Sequence, residues 1–289
     1  MQNPHLGTNH INGLNLQHLE WSPAGLPMVW LTGMGHTPFV FQDIIPAFSS
    51  NFHCFAFSRR GHGRSDAPTD GDYSPQTLAS DVLTFLDHLN LTDVVLVGHS
   101  IAGNEMTLAA TLQPWRFRAL IYLDAAYDRS GVLDRIRKDP LQSGQASPQP
   151  HTPEEFRHNA QQQYGFWTHA LEADLQNMLL ETEGRLHLRP LASSLLPATD
   201  QHQPDYTGIQ CPALAIYALF PEDHPTEDDA SQQQVAFRSE VMVPWQQASI
   251  QQFKTQCKEG QVLEWSQTHH YFFLSDPQRT VEAIRCFLR

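Results

Sequence analysis

Short apolar runs recur through the first 126 residues, each ending in a cluster of glycine, serine, proline or charged side chains. Alternation at Leu14, Leu16 and residues 19–21 predicts an early strand that turns at Ser22-Pro23-Ala24-Gly25. The run 28–31 predicts a buried strand leading into Thr32-Gly33-Met34-Gly35-His36-Thr37-Pro38, and Phe39, Phe41, Ile44, Ile45 and Phe48 then fall at helical spacing. A further run, 52–57, breaks at Ser58-Arg59-Arg60-Gly61-His62-Gly63-Arg64-Ser65. Ser74-Pro75 opens a helix with Leu78, Val82, Phe85, Leu86 and Leu89 on one face, proline suiting its first turn. Val94, Val95, Leu96 and Val97 make a strand that stops at Gly98-His99-Ser100; an alanine-rich helix follows over 102–112, and a strand over 119–123 ends at Asp124-Ala125-Ala126.

Residues 127–209 break this rhythm. They are rich in glutamine, proline and histidine, show no strand-like run, and carry helical patterns near 156–180. They read as an inserted, mainly helical cap over the strand ends. The rhythm resumes with a strand over 212–218, an acidic loop over 220–229, a helix ending at Gly260, a strand over 261–265 and a last helix opened by Asp276-Pro277. Strands alternating with helices predict an α/β protein with a mostly parallel sheet flanked by helices, its core formed by 1–126 and 210–289.

Charge and composition narrow the function. Eighteen Lys and Arg against 31 Asp and Glu give a formal net charge of −13, with no basic cluster, which argues against nucleic acid and anionic membrane surfaces as partners. The first 20 residues lack a signal-peptide pattern and no stretch is long and apolar enough to span a membrane, so a cytoplasmic protein is expected. Cys54, Cys211, Cys257 and Cys286 are scattered without C-x-x-C spacing and read as reduced, buried residues. Sixteen histidines never form a metal-ligand pattern; the one adjacent pair, His269-His270, has side chains that diverge, so no metal is expected. Neither Gly33-Met34-Gly35 nor Gly61-His62-Gly63 continues into a dinucleotide fingerprint, and no cofactor is expected.

Ser100 carries the chemistry. A strand must turn into a helix within two or three residues there, Gly98 and Ala102 keep the turn uncrowded, and the helix N-terminus favours negative charge. The alternative is that Ser100 only caps the helix. The pattern also departs from G-x-S-x-G, with Ala102 at the fifth position and glycine one residue later at Gly103.

Leu31-Thr32-Gly33-Met34-Gly35, Arg60-Gly61-His62-Gly63-Arg64-Ser65, Gly98-His99-Ser100-Ile101-Ala102-Gly103 and His270 just before Asp276-Pro277 together resemble the α/β-hydrolase fold superfamily, in the branch with a cap inserted after the sixth strand. The resemblance runs from Leu14 to Leu288. It implies Ser100 as nucleophile, His270 as general base, and an oxyanion hole from the backbone N–H groups of Ile101 and Met34. Thr32 stands where the family usually has a histidine, which leaves the support of that loop open. Two residues compete as the acid: Asp223, near the family's usual place after the seventh strand, and Asp124, at the end of the sixth, where dehalogenases of this fold carry it. Asp124 is preferred because a strand end holds a side chain better than a loop. His36 is expected as a loop or pocket-rim residue.

A serine nucleophile implies an acyl-enzyme route rather than dehalogenase or epoxide hydrolase chemistry, whose nucleophile in this superfamily is a carboxylate. The expected activity is hydrolysis of a small ester, with amide or lactone second, in an apolar pocket shaped by residues such as Phe166 and Trp167. The alternatives are carbon–carbon bond hydrolysis or a lyase reaction on the same residues, or a ligand-binding protein without turnover.

Overall fold

A computed structural model of the chain describes residues 3–139, 152–182, 185–189, 192–220 and 229–289. Eight strands form the central sheet: β1 His5–Ile11, β2 Leu14–Trp21, β3 Leu26–Leu31, β4 Phe52–Phe57, β5 Val94–His99, β6 Phe117–Leu123, β9 Ala213–Ala218 and β10 Gly260–Trp265. Their order is β1-β2-β4-β3-β5-β6-β9-β10. The β1–β2 and β2–β4 pairs are antiparallel and the remaining pairs parallel. This is the α/β-hydrolase sheet that the motif order implied.

Every residue of β5 is buried, because a central parallel strand is covered on both faces. On one face Leu96 and Leu120 join Val82, Phe85 and Leu86 of the helix Pro75–His88, Met106 and Ala109 of Ala102–Leu112, and Ile250 and Phe253 of Val243–Gln256. On the other, Val97 and Ile121 join Phe41, Ile44, Phe48, Phe272, Phe273 and Ile284.

The predicted helices at Ser74-Pro75 and Asp276-Pro277 form with the expected caps. Ser74 accepts the N–H of Thr77, and Asp276 that of Arg279. Two expectations about the elements are corrected, and one strand escapes the pattern. The spacing over residues 39–48 does not produce an α-helix: Pro38 opens one 3₁₀ turn, Pro38–Phe41, and Pro46 sits in a second, Ile45–Ala47, although most of the apolar side chains are buried as the spacing required. Strand β1 was not signalled, being an edge strand whose side chains are mostly exposed and polar. The inserted segment holds the helices Val132–Lys138, Pro153–Tyr164, His169–Met178 and Leu195–Asp200, but also an antiparallel hairpin, β7 Leu179–Thr182 with β8 Arg185–Leu188. Four-residue strands are too short to show a period of two, and Leu179-Leu180 reads as a continuation of the preceding helix.

Residues 229–256 are helical in three pieces, Asp229–Phe237, a π turn Arg238–Met242, and Val243–Gln256. Pro244, which has no N–H to give to the preceding turn, coincides with the end of the π segment. Cys54, Cys211 and Cys257 are buried and free; Cys286 is free but exposed on the last helix, unlike the burial expected of it. No helix among the described residues is long and apolar enough to cross a membrane.

Candidate active site

The turn from β5 into the helix Ala102–Leu112 places Ser100 at φ +57°, in the left-handed region that costs a non-glycine residue about 1–3 kcal/mol. The N–H of Ser100 donates to Leu123 O at 3.2 Å, which ties the turn to the end of the neighbouring strand β6, and Ser100 O accepts from the Gly103 N–H at 3.1 Å. The helix is capped at Ile101 without any side-chain cap bond, so the Ser100 hydroxyl is not spent as an N-cap. Small residues are required on both sides. A Cβ on Gly98 would strike Met106 Sδ, while one on Gly103 would lie against Ala125 O. Ala102 at the fifth position of the pattern is therefore tolerated, and the displaced Gly103 is needed for close packing of the helix on the chain leaving β6.

Asp124 follows β6 at φ +48°, its N–H donating to Ile216 O of β9 at 2.8 Å. Its two carboxylate oxygens have separate partners. Oδ1 accepts the Tyr127 hydroxyl at 2.6 Å and the Ala218 N–H at 3.0 Å, and Oδ2 lies 2.6 Å from His270 Nδ1. Behind them, Gln246 Nε2 donates to Tyr127 Oη at 2.8 Å and to Ala218 O at 2.9 Å, while Gln246 Oε1 accepts the Phe220 N–H at 3.2 Å. Burial, and then the adjacent Asp124 charge, push the Tyr127 hydroxyl well above the ordinary tyrosine range, so it remains a proton donor to that carboxylate.

A carboxylate on Nδ1 fixes Nδ1–H and leaves Nε2 of His270 as the basic nitrogen. The backbone of His270 is held from below by His99, whose Nε2 donates to His270 O at 3.1 Å. The two rings pack 4.5 Å apart. Burial, reinforced by His270, pushes His99 well below the usual histidine range, so it is a neutral prop. Neither the Ser100 hydroxyl nor His270 Nε2 has a hydrogen-bond partner among the described residues. Bonds of this kind commonly tighten only with substrate in place.

The predicted residues are distributed as follows. Asp124 and His270 are in direct contact, and Ser100 is held against the strand that carries Asp124. Asp223 lies outside the described residues. Met34, in the turn after β3, packs with Ile101, Tyr73, Leu78 and Leu195. The N–H groups of Met34 and Ile101 enter no hydrogen bond among the described residues. His269 diverges from His270 as expected: its Nδ1 accepts the Tyr271 N–H at 3.1 Å and its ring meets Tyr164 and Phe166. His36 is a loop residue but not a rim residue. It is buried, with Nδ1 2.6 Å from Asp174 Oδ2 and Nε2 3.0 Å from the Tyr271 hydroxyl. Asp174 Oδ1 also accepts the N–H and hydroxyl of Thr37, both at 2.6 Å, which docks the helix His169–Met178 onto the loop after β3. Trp167, expected in the pocket wall, packs in the same cluster as Tyr164 and Phe166 and donates its indole N–H to Glu172 at 3.0 Å.

Tyr127, Gln246 and Asp174 were not singled out by the sequence. Tyr127 follows Asp124 by three residues, but its role depends on a helix more than a hundred residues later, and no local pattern announces such a pairing.

The family model described as the alpha/beta hydrolase family matches residues 28–283. The chain is 31% identical over 136 residues to an epoxide hydrolase of Caballeronia sordidicola, covering 45% of this chain and 41% of that protein. It is 32% identical over 117 residues to a non-heme chloroperoxidase of Streptomyces lividans, covering 39% and 42%. The matches thus span about two fifths of the length of these curated relatives. Among solved structures, E-2-(acetamidomethylene)succinate hydrolase superposes with a TM-score of 0.73 at 19% identity over 99% of both chains. The thioesterase domain from the curacin biosynthetic pathway gives 0.72 at 15% identity over 98% and 99%. At such identities these likenesses speak for the fold, and the family match, covering most of the chain, speaks for descent: the chain belongs to the alpha/beta hydrolase family.

Proposed function

We propose that the chain is a cofactor-free serine hydrolase of a small ester, with amide or lactone second, working through Ser100, His270 and Asp124. The observation that carries this reading is the 2.6 Å contact between Asp124 Oδ2 and His270 Nδ1, made beside a serine held in the left-handed turn at the end of β5. In this scheme His270 Nε2 takes the proton of the Ser100 hydroxyl as the oxygen attacks the acyl carbon, and Asp124 stabilises the imidazolium that results. The developing oxyanion accepts from the N–H groups of Ile101 and Met34. Collapse expels the alcohol, protonated by His270, and leaves an acyl-Ser100. Water, deprotonated by the same nitrogen, releases the acid and restores the serine.

The inserted residues 127–209 serve as a cap. Tyr164 and Phe166, which pack against His269 beside the general base, supply part of an apolar wall. The helix residue Leu195, packed with Met34 and Ile101, supplies another part. Serine at the elbow, rather than a carboxylate, favours ester over epoxide substrates despite the name of one relative.

A fluorophosphonate probe tests this directly. Wild-type protein is expected to label stoichiometrically and to hydrolyse short p-nitrophenyl esters, with both lost in Ser100→Ala. Folded wild-type protein that neither labels nor turns over any short ester would sink the reading.

A further inference from the structure

The loop that carries Met34 lacks the histidine usual at position 32, and the structure provides another support for it. Arg59, the residue two past the end of β4, is 3% exposed in its side chain and forms a two-pronged ion pair with Glu105, which is 5% exposed. Nε lies 3.1 Å from Glu105 Oε2 and Nη2 2.7 Å from Oε1. The remaining donors turn to the loop: Nη2 donates to Thr32 O at 3.0 Å and Nη1 to Gly33 O at 3.4 Å.

We infer that the buried Arg59–Glu105 pair is a positioning device for the oxyanion hole, holding the Met34 and Ile101 N–H groups in one fixed relation. The inference rests on the hydrolase reading above for its catalytic meaning, but its geometric content stands on its own. A peptide unit is planar and trans, so its C=O and N–H point in opposite directions. Arg59 holds the carbonyls of the 32–33 and 33–34 peptides, and therefore turns the Gly33 and Met34 N–H groups away from itself.

What lies on the far side is the elbow. A Cβ built on Gly33 would fall 3.2 Å from Ser100 Cβ and 2.7 Å from His99 Nδ1, so only glycine lets the loop approach this closely. Glu105 completes the link, because it stands in the first turn of the helix that begins directly after Ile101. One ion pair thus ties the loop bearing one donor to the helix bearing the other. A positive charge behind the carbonyls also polarises those peptides and strengthens their N–H groups as donors. Burial raises the Glu105 carboxyl above its ordinary range while Arg59 opposes that shift, as expected for a buried carboxylate paired with a cation.

The other buried ion pair next in sequence, Arg60 with Asp81 at 2.6 Å, gives its third donor to Asp72 O and touches neither loop nor helix of the elbow. Arg59 alone of the two has donors aimed at the loop. Lysine at 59 would keep the charge but could not serve two carbonyls and two carboxylate oxygens from a planar fork.

Three variants separate positioning from plain stabilisation: Arg59→Lys, Arg59→Met, and the double variant Arg59→Met with Glu105→Leu. Arg59→Met leaves a buried carboxylate unpaired and should lower the melting temperature; the double variant, with both charges replaced by apolar groups, should recover most of that loss. Activity should not follow. With p-nitrophenyl acetate, kcat of the double variant is expected to fall about 100- to 1000-fold, the scale of losing one oxyanion donor, with KM within about threefold. Arg59→Lys should fall in between. A crystal structure of the double variant, with amide exchange at Met34, supplies a readout independent of turnover, and the 33–34 peptide is expected to rotate and exchange faster. Recovery of kcat together with stability would overturn the inference, as would an unrotated 33–34 peptide in the double variant. If wild-type protein neither labels nor turns over esters, the hydrolase reading fails, and the orientation of that peptide alone decides whether Arg59 positions the loop.

Discussion

Asp124 divides its oxygens between two tasks, and the division predicts what an amide there would do. Oδ1 faces two donors, the Tyr127 hydroxyl and the Ala218 N–H, so an asparagine must turn its own carbonyl oxygen that way. Its NH₂ would then face His270 Nδ1, which could accept only by moving its proton to Nε2. That is the wrong tautomer for the base that the proposed mechanism places against Ser100. Asp124→Asn is therefore expected to fold normally and to lose about 10⁴-fold in kcat on short esters. Asp223→Asn should stay within several-fold; the reverse ranking in steady-state kinetics would place the acid of the proposed mechanism on the loop after β9. At this scale the sequence was most legible where chemistry is local. Ser100 sits in a contiguous strand, turn and helix, so its place could be read directly. Asp124 could be preferred over Asp223 only because a strand end holds a side chain better than a loop; its contact with a histidine 146 residues further on is long-range, and no local pattern encodes it. The same limit hid Arg59 and Glu105, 46 residues apart.

The elements around the elbow are packed backbone to backbone, and their two glycines are not equivalent. A Cβ on Gly103 would run into the carbonyl oxygen of Ala125, a backbone atom that cannot yield without moving the chain leaving β6, and with it Asp124. A Cβ on Gly98 would meet the thioether end of the Met106 side chain, which has rotamers to yield, and would come close to Ala102 Cβ, at 3.2 Å. Gly103→Ala should thus cost more than about 3 kcal/mol, beyond the usual overpacking range, whereas Gly98→Ala should cost about 1–3 kcal/mol and be partly restored by Met106→Val. Urea unfolding of the three variants measures the ranking, and equal costs for the two glycines would contradict it. The same distinction explains which elements could be foreseen. Buried parallel strands and capped helices announce themselves by continuous apolar runs and by Ser74-Pro75 or Asp276-Pro277. Strand β1 and the β7–β8 hairpin owe their form to partners rather than to their own pattern, and residues 39–48 satisfy a helical burial pattern with 3₁₀ turns, Pro46 interrupting the run.

Across the whole molecule, several histidines are kept uncharged by burial, and this makes its stability depend on pH in a defined direction. His62 lies in the turn after β4 with Nδ1 on Arg60 O at 3.0 Å. Burial, with Arg59 adding to it, pushes His62 down to about 3, and burial also pushes His99 well below its ordinary 6.5. In the unfolded chain both would titrate near 6.5. Above that pH neither state binds a proton, and the histidines leave stability unchanged. As pH falls below it, the unfolded chain takes up protons that the folded protein refuses until about pH 3 for His62, so stability declines through this window. Each such histidine contributes a slope of about 1.4 kcal/mol per pH unit once the unfolded form is fully protonated, and the pair about twice that. In the interval from about pH 6 to 5 histidines dominate, since ordinary carboxylates titrate lower, and His18, His202 and His269, also lowered by burial, add to the slope. Urea unfolding across that interval should show stability falling steeply with acid, and His62→Gln should reduce the slope by about one proton because glutamine can still donate to Arg60 O without titrating. An unchanged slope in His62→Gln would mean that this side chain charges in the folded protein as readily as in the unfolded one, and the turn that holds Arg59 and Arg60 would then have to admit a third positive charge.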